Sequence, residues 1–205
     1  MKDPKNLLSW LADLQEVNLD LGCGPFKKAG PWIGVDALDA PGVDVVGDVM
    51  EILEALPDSS VDRIHSSHFF EHVPDLPRLL RLIRRVLKPG GRLDTIVPHF
   101  SNPYFYSDPT HRMAFGLYSF SYLVEDELLS RKVPGYARLD GMELVEVQLR
   151  FKSDLIVNQP IRWLWQRMFN MSTFLKEWYE DSWSTSIPCY ELHFVVLKSF
   201  GKPRT

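Results

Sequence analysis

Cysteine is scarce in this chain: Cys23 and Cys189 are the only two among 205 residues, far apart and without CxxC spacing. That excludes a disulfide framework and a cysteine-based zinc site, and two reduced thiols are expected. A positive excess is lacking too. The 23 Lys plus Arg are outnumbered by 27 Asp plus Glu, for a net charge of -4, which is not the overall footprint of a nucleic-acid-binding domain. No apolar run reaches the roughly 18–20 residues of a membrane-spanning helix. The opening MKDPKNLLSWLADL sets Asp3 and Pro4 where a signal peptide carries basic residues and offers no small-residue cleavage site, so a cytoplasmic location is expected. Repeats and low-complexity tracts are absent. What is present is 45% hydrophobic residues, enough for one full core and a single domain over residues 1–205.

Periodicity predicts the order of elements. Leu7, Leu8, Leu11 and Leu14 form an apolar stripe that predicts a helix over Asn6–Leu14. Strands follow at Val17–Leu21, Trp32–Asp36 and Asp44–Gly47, then a helical turn at Met50–Leu56 and a strand at Val61–Ser66. Leu76, Leu79, Leu80, Ile83, Val86 and Leu87 recur at helical spacing, with Arg78, Arg81, Arg84, Arg85 and Lys88 as a solvated basic side. Lys88-Pro89-Gly90-Gly91 ends that helix and reverses the chain into a strand at Arg92–Val97. Farther on, Phe120–Leu129 and the aromatic-rich Ile161–Trp178 read as helical, Leu144–Lys152 and Glu191–Lys198 as strands. Strands alternating with helices imply an α/β fold around a parallel sheet.

The most informative constellation is Leu19-Asp20-Leu21-Gly22-Cys23-Gly24, a strand running into a Gly-x-Gly turn, with Asp36 at the next strand tip. Two glycines permit a sharp turn and close approach of a ligand to the main chain, while Asp36 is placed to accept from both ribose hydroxyls. Asp48, at the third strand tip, is placed to receive a purine amino group, with Val49 against the ring. Together they describe a nucleoside site at the carboxyl edge of the sheet. The run after Gly24, PFKKAG, leaves no room for the helix of a GxGxxG dinucleotide motif, which disfavours an NAD-dependent oxidoreductase. Acidic Asp20 favours a cationic ligand over an anionic one.

These motifs, LDLGCGP at Leu19–Pro25, IGVD at Ile33–Asp36, GDV at Gly47–Val49, EHVPD at Glu71–Asp75 and LKPGG at Leu87–Gly91, resemble in order and spacing those of the class I S-adenosylmethionine-dependent methyltransferases. The resemblance implies a Rossmann-like, seven-stranded, mostly parallel sheet whose last strand, here Glu191–Lys198, is antiparallel, with helices on both faces and a helical insertion before that strand. It implies S-adenosyl-L-methionine as cofactor: Asp20, Gly22, Cys23 and Gly24 at its methionine end, Asp36 on its ribose, Asp48 and Val49 at its adenine, Ser67 and His68 near its sulfonium. The usual third glycine is replaced by Phe26, and the first crossover helix is nearly absent. On this reading residues 1–98 form the cofactor half, 99–140 a substrate loop and helix, and 153–188 a helical insertion or lid.

Substrate chemistry belongs in loops beyond the strand tips. The fifth strand empties into PHFSNPYFYSDPTHRMAFGLYSF, dense in His99, Asn102, Tyr104, Tyr106, Asp108, His111 and Arg112. His99 or His111, oriented by Asp108, is the expected general base, although alignment alone can carry much of a methyl transfer. His65, His68 and His72 have a suggestive spacing but need not converge, so no metal is expected. One helical face cannot bury every apolar side chain of 161–178, which suggests a lid, a peripheral membrane contact or a homodimer contact there. The expected activity is methyl transfer to an oxygen or nitrogen of a small-molecule, glycosyl or lipid-linked acceptor, with no nucleic-acid partner. The rival reading is a protein that binds the cofactor or its product without chemistry.

Overall fold

A computed structural model of the chain describes residues 11, 14–153 and 155–200; most of the helix expected over Asn6–Leu14 lies outside them. The strands are β1 (Asn18–Leu21), β2 (Ile33–Asp36), β3 (Val45–Val46), β4 (Val61–Ser67), β5 (Leu87–Pro98), β6 (Val124–Asp126), β7 (Leu139–Arg150) and β8 (Glu191–Lys198). They form one sheet ordered β3-β2-β1-β4-β5-β8-β7-β6. The first five pair in parallel, and β8 runs antiparallel between β5 and β7. The strand order switches between β1 and β4, where the chain turns from adding strands on one side of β1 to adding them on the other, and that leaves a crevice at the carboxyl edge, where α/β sheets hold their ligands.

The sheet has eight strands instead of the expected seven because β6 is added at its edge, parallel to β7. A helix was expected over Phe120–Leu129, but only Phe120–Tyr122 makes a single helical turn. Val124 and Asp126 are buried while Glu125 between them is exposed, a period of two that fits a strand. The Lys88–Gly91 segment also departs from expectation. It belongs to β5, where Leu87 faces Val61 and Arg92 faces Arg63, so the intervening residues bulge out of the ladder. Gly90, at φ 79°, allows this; a Cβ there would sit 2.5 Å from the Phe200 ring.

Helix α1 (Val49–Ala55) and helix α2 (Leu76–Val86) bury Ile52, Leu53, Leu76, Leu79, Leu80, Ile83 and Val86 in the main core. Along β5, Leu93, Thr95 and Val97 are wholly buried while Arg92, Asp94 and Ile96 are half-buried. The sheet therefore has an apolar face, packed with Phe70, Phe115, Phe120 and Tyr179, and a polar one bearing Asn18, Asp20, Arg63, His65, Arg92 and Asp94. Right-handed crossovers put the β1–β2 and β2–β3 connections on the polar side. Neither connection holds a helix among the described residues, so the helices expected on both faces are seen there on one. A groove of about 700 Å³ on the polar side is lined by Lys28, Asp62, Arg63, Lys88, Arg92 and Asp94. No described helix is long and apolar enough to cross a membrane.

The expected helical insertion is split into α3 (Gln159–Phe169) and α4 (Thr173–Trp178), set along the edge of β7. Asn170 Oδ1 accepts from the Leu149 amide at 2.9 Å and its Nδ2 donates to the Leu149 carbonyl at 2.7 Å. Gln166 Oε1 accepts from the Phe151 amide at 3.2 Å. These side chains stand in for a further strand and satisfy an open sheet edge.

Candidate functional site

Strands β1 and β2 end side by side, and the turn after β1 is built around their carboxylates. Gly22 (φ 65°) and Gly24 (φ 50°) occupy the left-handed region that glycine enters without strain. A Cβ on Gly22 would meet the Phe69 ring at 2.5 Å, whereas one on Gly24 would meet nothing within 4 Å. The turn thus lies flat under Phe69 on one side and is open on the other. Asp36 Oδ2 accepts from the Gly24 amide and Oδ1 from the Leu38 amide, both at 2.8 Å. Asp44 accepts from the Gly34 amide and from Lys27 Nζ.

Asp20 has a different part from the one the resemblance implies. Its carboxylate lies on the polar side and accepts from the Lys28 amide at 2.7 Å, so it ties down the segment that replaces a first crossover helix. Burial raises its pKa, with Lys28 and Lys27 opposing the shift. Cys23 stays a neutral thiol, pushed up to about 12 by burial and then by the nearby Asp20 and Asp36 charges.

A pocket of about 210 Å³ opens at the strand tips, lined by Gly22, Asp36, Asp48 and Val49 together with Phe69, His72 and Pro74. A neighbouring hollow of about 370 Å³ shares Asp48, Met50, Val73 and Pro74 and extends the groove past α1. Asp48 is the N-cap of α1: its Oδ1 accepts from the Met50 amide at 2.8 Å and the Glu51 amide at 3.2 Å. Of the residues expected around a nucleoside, the structure brings Gly22, Asp36, Asp48 and Val49 to one cavity and leaves Asp20, Cys23, Gly24, Ser67 and His68 out of its lining.

The donor set fits an adenosyl group. Each Asp36 oxygen uses one lone pair on the loop and keeps another for a ribose hydroxyl. Asp48 caps the helix through Oδ1 and lines the same groove as Val49, Met50 and Pro74, whose walls suit a flat ring. No cation lines the smaller pocket, in keeping with a ligand that brings its own positive charge.

His68 follows β4 in a left-handed conformation, φ 54°, and its exposed ring reaches back to two buried carboxylates. Its Nε2 lies 3.0 Å from Glu191 Oε1 and its Nδ1 3.3 Å from Glu71 Oε1, and Lys152 Nζ is 2.8 Å from Glu191 Oε2. Glu191 first and Glu71 second raise its pKa to about 9. Ser67 ends the same strand beside it.

The histidines of the fifth-strand loop diverge. His99 is wholly buried, with Nε2 at 2.8 Å from Glu180 and Nδ1 at 2.7 Å from Ser101 Oγ. Both ring nitrogens are spent on packing the 179–189 segment, so the ring has none to offer a substrate. His111 Nδ1 donates to the Phe105 carbonyl at 2.8 Å, leaving a lone pair on Nε2, 3.8 Å from Asp108 Oδ2. Its ring lies 4.9 Å from that of His72.

Sequence reasoning did not assign His72 to the site, though the Glu-His pair just past the β4 tip was its signal. Thr110 Oγ1 donates to Asp108 Oδ1 at 2.6 Å and sits 2.9 Å from His72 Nδ1. A carboxylate only accepts, so the His72 Nδ1 hydrogen goes to Thr110 and Nε2 carries the lone pair. Asp108 therefore orients His72 through Thr110 more directly than it orients His111. Donor atoms of Glu71, His72 and His111 lie within 4.8 Å of one another, as a metal site requires, but the His68 imidazolium already supplies positive charge beside Glu71. The other two histidines weighed for a metal, His65 and His68, point to the polar face and the Glu191 cluster.

Residues 26–94 match the model of a methyltransferase domain family. The chain is similar to the ubiquinone/menaquinone biosynthesis C-methyltransferase UbiE of Cronobacter sakazakii, 38% identical over 63% of this chain and 46% of that one. A demethylmenaquinone methyltransferase of Listeria monocytogenes is 35% identical over 63% of this chain and 54% of its own. The chain thus spans about half the length of the curated relatives it matches. Among solved structures, a SAM-dependent methyltransferase from Archaeoglobus fulgidus superimposes with a TM-score of 0.57 at 20% identity, over 89% of this chain and 86% of that one. The fold is that of the class I S-adenosylmethionine-dependent methyltransferases, and residues 26–94 carry a methyltransferase domain.

Proposed function

We propose that this protein transfers a methyl group from S-adenosyl-L-methionine to a small or lipid-linked acceptor. The observation that carries the reading is the convergence of Gly22, Asp36, Asp48 and Val49 on one strand-tip pocket. The cofactor, when bound, supplies an electrophilic methyl group on a sulfonium. Asp36 holds the ribose hydroxyls, the spare oxygen of Asp48 takes the purine amino group, and Val49, Met50 and Pro74 sandwich the ring. The Gly22–Gly24 turn admits the amino-acid end against the main chain, and Phe69 and Val73 keep water from it.

On the acceptor side, His72 Nε2 is the proton acceptor, fixed in that tautomer by Thr110 and Asp108. His111 stands next to it as a second ring with the same free nitrogen. The name of the Cronobacter sakazakii relative, a C-methyltransferase, adds carbon to oxygen and nitrogen as the acceptor atom. Calorimetry with S-adenosylmethionine, S-adenosylhomocysteine and NAD tests the pocket: the first two are expected to bind and the third not. Labelled methyl transfer to a panel of quinols, phenols, amines and glycosides then separates an enzyme from a mere binder. A folded protein with no affinity for either adenosyl compound overturns the proposal.

A further inference from the structure

The α3–α4 insertion is built inside out. Three of its polar side chains are spent inward: Gln166 and Asn170 on the β7 backbone, Arg162 on the Pro188 carbonyl. Its outward stripe, at spacings of three and four, is Pro160, Trp163, Leu164, Arg167 and Met171. Trp163 is 60% exposed, and the segment leading into the helix exposes Ile156 and Val157 to 81% and 82%. Phe174 continues the patch on α4 at 70%. An ordinary surface helix shows the reverse pattern, with charges outside. Single exposed apolar residues need no explanation, but a contiguous series over two helices and their lead-in does.

Charge selects the occupant. The chain as a whole is acidic, yet the ionisable residues from Leu155 to Trp178 are Arg167, exposed on the outward stripe, Arg162 and Lys176, both half-buried, and Glu177. Glu177 is occupied in accepting from the Ser130 amide at 2.6 Å. The Arg167 guanidinium lies 5.0 Å over the Trp163 ring, a pairing that keeps a cation beside an apolar anchor. Aromatic and aliphatic anchors interleaved with cations are what a helix lying in a lipid headgroup layer presents.

We infer that this patch seats the protein on an anionic lipid surface. The inference stands apart from the methyl-transfer reading, although the segment that carries the patch leaves β7 after Arg150, on the same carboxyl edge as the adenosyl pocket, and so would bring that edge to the membrane.

The test is flotation of the full chain with vesicles of phosphatidylcholine alone and of phosphatidylcholine mixed with phosphatidylglycerol. The expected result is co-flotation with the mixed vesicles, weaker with phosphatidylcholine alone and falling as salt is raised. The double variant Trp163→Glu/Leu164→Glu, and separately Ile156→Ser/Val157→Ser, should lower the partition coefficient by about tenfold or more while the melting temperature stays near wild type. Absence of flotation by the folded wild type overturns the inference, as does unchanged flotation of both variants. A wild type that is dimeric by light scattering, with monomeric variants that float as before, also overturns it and assigns the patch to a second copy of the chain.

Discussion

Gly22 joins the backbone, the packing and the strand-tip pocket at one atom. Its left-handed φ and the 2.5 Å approach of Phe69 to the place of a Cβ mean that Gly22→Ala adds strain and a clash together. The expected cost is about 1–3 kcal/mol in unfolding free energy, read by denaturant titration, together with loss of cofactor binding. Gly24, with open space around its missing Cβ, has only the φ strain and should cost less. Asp36→Asn keeps the volume but turns one oxygen into a donor that faces the amide it now accepts from. Affinity for S-adenosylhomocysteine is expected to fall by about tenfold to a hundredfold in calorimetry; an unchanged value would move the ribose site elsewhere. The two candidate bases part in kind. His72→Ala is expected to lower kcat by about a hundredfold with the melting temperature kept, and His99→Ala to lower the melting temperature, because it strips Glu180 Oε2 of its partner within the packed 179–189 segment.

At the level of elements, the first half of the chain was readable because its physics is local. A buried strand, a Gly-x-Gly turn and an acid at the next strand tip fall within Leu19–Asp36, and helix α2 announces itself by the spacing of Leu76, Leu80, Ile83 and Val86. What escaped the sequence depends on distant partners. Asp20 reads as a ligand-facing acid until the short crossover folds back and Lys28 takes it. Val124–Asp126 reads as helix until β7 arrives beside it. His99 reads as catalytic until Glu180, far along the chain, covers it. The insertion shows the same dependence, since Asn170 has meaning only against the β7 edge. Asn170→Ala leaves the Leu149 amide and carbonyl without partners at a half-buried edge. About 1–3 kcal/mol is expected to be lost, a drop of several degrees in the thermal midpoint of a 205-residue chain, and hydrogen exchange at Leu149 should quicken with it.

For the molecule as a whole, the one-sided sheet sets how stability responds to pH. His65, on the polar face, is held at about 4 by burial and by Lys28, below its ordinary 6.5. The unfolded chain takes up a proton there near 6.5 and the folded one only near 4, so stability falls as pH drops between those values. His68, clamped by Glu191 and Glu71, runs the other way. Its folded value of about 9 exceeds the ordinary 6.5, so its contribution is whole below 6.5 and is lost as pH rises through about 9. Burial alone would raise the Glu191 carboxyl, but His68 and Lys152 outweigh it and hold it below the ordinary range, which puts its own loss at more acid pH. The two histidines together predict a melting temperature highest near neutral pH that declines on both sides. His65→Gln should flatten the limb between pH 6.5 and 4, and His68→Gln the limb between 6.5 and 9. A wild-type melting temperature that stays level from neutrality to pH 9 would separate His68 from its two carboxylates, and with them would go the ion-pair cluster at the strand-tip edge between β4 and β8.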